Sequence, residues 1–123
     1  MRVIIAGSRD ISDYQELLDA VVDSGFEITT VISGGARGVD RMGEIFAKNN
    51  SIPLEIYPAD WNKYGKSAGH RRNADMANVA DALIALWDGE SRGTKSMIEI
   101  ANKKVLHVHI HYVKTNNTLM KGT

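Results

Sequence analysis

The chain has 123 residues and 43% hydrophobic content, enough for one domain with one compact core and too much for wholesale disorder. Its 15 Lys+Arg offset 15 Asp+Glu for a formal net charge of +0, which argues against a polycationic duplex-DNA binder while leaving room for a local basic patch. With no cysteine there are no disulfides, thiolate nucleophiles or cysteine zinc sites, and no apolar run approaches the roughly 20 residues that span a bilayer, so a cytoplasmic protein with no membrane partner is expected.

In chain order, residues 2–6 form an apolar, largely β-branched run closed by Gly7-Ser8-Arg9-Asp10. This is the pattern of a strand buried on both faces rather than of a signal peptide. Ser12-Asp13-Tyr14-Gln15 reads as a capping box with Ser12 and Gln15 as the reciprocal pair. Tyr14, Leu17, Leu18, Val21 and Val22 then recur at helical spacing, and Gly25 ends the helix. The unit repeats. Ile28 to Ile32 is a second strand, ending in Ser33-Gly34-Gly35-Ala36-Arg37-Gly38, followed by a helix with Val39, Met42, Phe46 and Ala47 inward. Pro53 to Tyr57 is a third strand, and Pro58 to His70 a long polar connection leading to a helix from about Arg71 to Val79. Ala82 to Trp87 is a fourth strand, Thr94 to Lys103 a helix with Met97, Ile98 and Ala101 inward, and Val105 to Tyr112 a fifth strand. Residues 113–123 form a polar tail without periodicity, expected to fray.

Strand alternating with helix predicts an α/β fold: a single-domain, Rossmann-like, doubly wound parallel sheet over residues 1–112, with about five strands in the order 3-2-1-4-5. A sheet this small leaves helix surface exposed, so a homo-oligomer is expected.

In such a sheet all strand-to-helix loops emerge at one edge, and ligands bind there, at the switch in strand order. Six of the seven arginines fall in or just after these loops: Arg9, Arg37, Arg41, Arg71, Arg72 and Arg92. Most of the glycines join them. Glycine lets backbone N–H groups approach a ligand, helix N-termini suit anions, and arginine offers a bidentate fork for phosphate. A discrete anionic small molecule is the expected partner. The candidate binding residues are Gly7, Ser8 and Arg9 in the first loop, and Gly34, Gly35, Ala36, Arg37, Gly38 and Asp40 in the second. The third loop adds Asp60, Trp61, Tyr64, Lys66, Arg71, Arg72 and Asn73, and the fourth Asp88, Ser91, Arg92, Gly93 and Thr94. Arg37, Arg72 and Arg92 would clamp phosphate; Ser8, Ser91 and Thr94 would add hydrogen bonds; Asp40, Asp60 or Asn73 would hold a sugar. Trp61 and Tyr64 can stack on a base or anchor the loop by packing. Asp40 and Asp88 are equally explained as helix caps.

There is no G-x-x-x-x-G-K-[ST], no G-x-G-x-x-G after the first strand, and no defensible Ser-His-Asp order. His107, His109 and His111 alternate on one face of the last strand, better explained by a half-solvated edge strand than by a metal. No metal and no cofactor are expected.

The combination Gly7-Ser8-Arg9, Ser33 to Asp40, Ala59-Asp60-Trp61 with Tyr64-Gly65-Lys66, Ala68-Gly69 and Arg72-Asn73, and Trp87-Asp88-Gly89 with Ser91-Arg92-Gly93-Thr94 and Met97-Ile98 resembles the YspA-related (YpsA-like) family of the SLOG superfamily. That superfamily joins the Smf/DprA DNA-processing proteins to the LOG nucleoside-monophosphate phosphoribohydrolases, and phage and bacterial genomes carry small members of it. The resemblance implies a nucleotide or nucleotide-derived ligand at the rim, held by a sensor or sequestering module. LOG enzymes carry Gly-Gly-x-Gly-Thr-x-x-Glu; here Met97 stands where the glutamate would, and Glu99 is turned away by helical spacing. An N-glycosidic hydrolase is therefore the alternative, with Asp40 or Asp60 as its catalytic carboxylate. The Ser33–Asp40 run is similar to that of the DNA-processing proteins, which makes single-stranded DNA the third reading, with Trp61 and Tyr64 stacking on bases.

Overall fold

The computed structural model describes residues 1–115. Five strands and five helices alternate: β1 Arg2–Gly7, α1 Tyr14–Ser24, β2 Thr30–Ser33, α2 Val39–Asn49, β3 Leu54–Ile56, α3 Trp61–Tyr64, α4 Ala68–Val79, β4 Ala82–Trp87, α5 Arg92–Lys103 and β5 His107–Tyr112. A 3₁₀ turn, Gly65–Ser67, joins α3 to α4. All strand pairs are parallel and the order is β3-β2-β1-β4-β5, as the alternation predicts. β1 pairs with β2 through Ile4↔Ile32 and with β4 through Ile5↔Ile84, so it lies at the centre.

The two-residue period of a strand divides β1 between two cores. Val3 and Ile5, with Val31, Ile84 and Leu86, pack under α1 and α2 against Leu17, Ala20, Phe46 and Ala47. Ile4 and Ala6, with Ile32, Leu83 and Ala85, pack under α4 and α5 against Met76, Ala77, Met97 and Ile98. Helices on both faces are what make the central strands apolar without alternation. The helical faces read from the sequence hold, except that Val22 points outward at 77% exposure.

Several boundaries differ, each for a local reason. α1 is capped by Asp13, whose Oδ1 accepts from the Gln15 backbone N–H at 3.0 Å, and not by a Ser12–Gln15 box. The helix starts at Tyr14, one residue late for Ser12 to act as cap. β2 begins at Thr30, and the preceding Thr29 N–H donates to Met1 O at 2.8 Å. The connection after β3 is largely helical: Asp60 caps α3 through Lys63 N–H at 3.1 Å, and α4 starts at Ala68 rather than Arg71. α5 starts at Arg92, capped by Ser91. β5 starts at His107 because Val105 turns the chain with φ 59°. His111 Nε2 sits 2.6 Å from Glu16 Oε2 of α1, tying the edge strand to that helix. Of the tail, Val113 packs on the first core and donates its N–H to Trp87 O at 2.9 Å; residues 116–123 lie outside the described part.

Candidate functional site

β1 and β4 are neighbours whose chains leave toward opposite faces, α1 behind one and α5 behind the other. This opens a crevice beyond their carboxyl ends. The crevice is a cavity of about 620 Å³, within the roughly 300–1,000 Å³ of small-molecule sites. Of the expected residues, Gly7, Ser8, Arg9, Ala36, Asp40, Trp61, Lys66, Arg72, Asn73, Asp88, Ser91, Arg92, Gly93 and Thr94 line it. Its charged wall sets Arg9, Lys66, Arg72 and Arg92 against Asp10, Asp40, Asp88 and Glu90.

A second cavity of about 340 Å³ shares Arg9, Ala36, Trp61 and Arg72 with the first. Gly34, Gly35 and Arg37 line this smaller space and not the larger. The three proposed phosphate arginines thus fall on one double cavity, with Arg72 on the shared wall, Arg37 on one side and Arg92 on the other.

Gly38, Asp60, Tyr64 and Arg71 line neither cavity. Gly38 takes φ +77° and a Cβ there would lie 2.6 Å from the Arg9 carbonyl oxygen, so this glycine serves the packing of two loops rather than a ligand's approach. Asp60 is spent as the α3 cap. Tyr64 lies between Lys63, its Nζ 5.1 Å from the ring centroid, and Arg71, at 4.5 Å, while Arg71 Nε donates to Ser67 Oγ at 3.2 Å. Trp61 and Tyr64 therefore do not form one stacking platform. Trp87 packs on the Tyr112 ring at 5.8 Å and donates its indole N–H to Ser91 O at 3.0 Å, as a core residue does.

Arg72 is a fixed strut. Its Nη1 donates to Gly34 O at 2.5 Å and its Nε to Asn73 Oδ1 at 3.0 Å. Burial pulls it below the ordinary guanidinium range, against the opposing pull of Asp40. Gly34 is the only residue type that fits beside it: a Cβ would sit 2.5 Å from Arg72 Nη1 and 2.8 Å from Asp40 Oδ2. Asp40 is 6% exposed, and burial pushes it up to about 6. The Ala36 N–H, which donates to Oδ2 at 3.2 Å, and the charges of Arg72 and Arg9 restrain the rise, while Glu44 adds to it.

Asp88 behaves differently. Its Oδ1 accepts from the Glu90 and Ser91 N–H groups at 2.8 Å each. Burial pushes it up, but these bonds and one from the Ser8 hydroxyl outweigh that and hold it below the usual carboxylate range. Asp88 closes the turn that leads into α5, whose cap is Ser91. Asp40 is no cap either: it lies in the first turn of α2, after the Gly38 cap.

Four lining residues carry polar chemistry that the motif reading passed over: Asp10, His70, Glu90 and Ser96. Asp10 and Glu90 stand inside loops already marked by their glycines and arginines, and a search for anion-binding groups alone discards acids. His70 Nδ1 lies 3.3 Å from Ser96 Oγ, a pairing between α4 and α5 that no local spacing reveals.

Fold and crevice together define a Rossmann-like α/β protein with two adjoining arginine-bearing cavities at its switch point. The family model described as "YspA, cpYpsA-related SLOG family" matches residues 1–64. The "Gene 61 protein" of Mycobacterium phage D29 is 35% identical over 112 residues, covering 83% of this chain and 89% of that protein. The chain belongs to the YspA, cpYpsA-related SLOG family. Membership suggests a nucleotide-related ligand-binding role; the name of the phage relative specifies none.

Proposed function

We propose that the double cavity binds a nucleotide or nucleotide-derived small molecule and that the protein works as its sensor or sequestering module. The observation that carries this reading is the convergence of all four rim loops on connected cavities of about 620 and 340 Å³ that share Arg9, Trp61 and Arg72. The three ligand moieties have matching partners. Trp61, 52% exposed, offers a ring face to a base. Asp40 offers carboxylate oxygen to ribose hydroxyls. The arginines offer forks to phosphate. Calorimetry with AMP, ADP-ribose and cyclic nucleotides tests this, with at least one expected to bind and Arg37→Ala and Arg72→Ala to weaken it. Failure of the whole panel overturns the reading.

Asp40 favours one second reading, hydrolysis of an N-glycosidic bond. In that reaction the C1′–N bond breaks, water adds to C1′ and the base leaves with a proton. A carboxylate of pKa about 6 can stabilise an oxocarbenium-like C1′ or take the proton of the incoming water. With Asp60 spent as a cap, Asp40 alone of the two candidates faces the cavity. Chromatography after incubation with nucleoside monophosphates decides: released base that disappears in Asp40→Asn supports hydrolysis, and binding without turnover removes it.

A further inference from the structure

We propose that the two compartments divide the ligand, the smaller one seating its phosphate and the larger one its uncharged, hydroxyl-bearing part. The identity of the ligand rests on the nucleotide reading above; the anion seat is testable without it.

The charge of the two walls carries the inference. The larger compartment opposes four cationic side chains with four carboxylates, so its field on an anion largely cancels. The smaller one is lined by Arg9, Arg37 and Arg72 and by no carboxylate at all. Among the described residues none of these three arginines forms an ion pair. Arg72 cannot swing away, because Gly34 O and Asn73 Oδ1 hold it, with the Asp40 charge attracting it and the Arg9 charge opposing it. Three arginines on one wall, with Asp40 beside Arg72 as the one near carboxylate, leave a net positive field that is offset when an oxyanion lies between them.

The start of α5, the other place a phosphate would be sought, carries Asp88 and Glu90 beside Arg92. Asp88 Oδ1 takes the Glu90 and Ser91 N–H groups, and Ser91 Oγ takes the Thr94 N–H at 3.4 Å. The carboxylates of Asp88 and Glu90 there oppose an incoming phosphate. Asp40 lines the larger compartment and not the smaller, which suits hydroxyl donors there.

The test uses inorganic phosphate, AMP and adenosine as probes of the ¹⁵N-labelled protein, read by amide shifts. Phosphate is expected to give saturable shifts at Gly34, Gly35 and Arg37, weakened about tenfold or more by Arg37→Ala. Arg41→Ala, which removes the same charge from an exposed position on α2 off both cavities, is expected to leave them unchanged. Shifts centred on Gly93 and Thr94, equal losses in the two variants, or no saturable shift overturn the proposal. The nucleotide arm separates the two claims. AMP shifting both compartments while adenosine shifts only the larger supports the division. Phosphate saturating the small compartment while AMP binds no tighter than phosphate overturns the nucleotide reading and leaves the anion seat standing.

Discussion

Asp40→Asn isolates the energetic strain held in the site. The wild-type carboxyl has an ordinary value of 3.8 and is pushed up to about 6 in the folded protein, first by burial. Between these two values the folded state keeps a proton that the unfolded state has lost, so stability falls as pH rises through that window. At about 1.4 kcal/mol per pH unit the full fall is about 3 kcal/mol, complete above pH ~6.5. Asparagine does not titrate, and any packing cost it brings is the same at every pH. The stability of Asp40→Asn relative to wild type should therefore improve by about 3 kcal/mol from pH 3.5 to pH 7. Urea unfolding followed by circular dichroism across that range measures it. A difference that stays flat with pH, or that moves against the variant, refutes the account of Asp40 as a carboxylate destabilised by its surroundings. The same variant should lose binding at pH 7, where its stability relative to wild type is highest, the trade expected where a site is held ready for a ligand.

Gly34→Ala would place a Cβ 2.5 Å from Arg72 Nη1, so the strut must break; calorimetry should show nucleotide binding abolished and urea unfolding a loss of about 1–3 kcal/mol. Unchanged binding would show that Arg72 is not part of the site. Gly38→Ala and Gly65→Ala both force a left-handed backbone, with φ +77° and +56°, but only the first also meets backbone, that of Arg9 at 2.6 Å, while the second meets nothing within 4 Å. Gly65→Ala should cost about 1–3 kcal/mol and Gly38→Ala clearly more, and equal costs in thermal melts would deny the loop contact its weight. Trp61→Ala removes an exposed ring, so melting should be nearly unchanged while AMP affinity falls by about tenfold, the worth of one base stack. An affinity that does not move would assign the ring to packing on Gly69 alone.

The fold was readable because the central strands obey a simple rule. Val3 to Ala6 need apolar partners on both faces, and only a sheet covered by helices on both faces provides them. That topology then turned four distant loops into one rim, which is why Ser8, Asp40, Arg72 and Thr94 could be grouped before any coordinates. Residues 58–70 resisted because α3 has four residues and no apolar face; its only local signal is Asp60, which reads equally as a ligand group or as a cap. Tyr64 and Arg71 carry the right chemistry for a nucleotide, yet the turn at Gly65–Ser67 sets them on each other and away from the cavity. Side-chain type names the chemistry a loop offers; which way a short helix faces is decided by contacts far along the chain.

The division into two compartments lies further still from the sequence, and it turns on one bond. Arg72 reaches from α4 to the carbonyl of Gly34, 38 positions earlier, and its guanidinium becomes part of the wall shared by both spaces. Two conditions must hold together. Position 34 must lack a Cβ, and position 40 must carry an acid whose Oδ2 stands near the same spot. Asp40 attracts Arg72 across Gly34 without pairing with it, so the guanidinium stays half-buried on the shared wall. A tighter Asp40–Arg72 pair would neutralise the smaller compartment, and a longer separation would leave Arg72 without its electrostatic support. The glycine, the arginine and the aspartate therefore act as one unit, and substitutions among them should be non-additive: removing Arg72 after Gly34→Ala should cost the site little more.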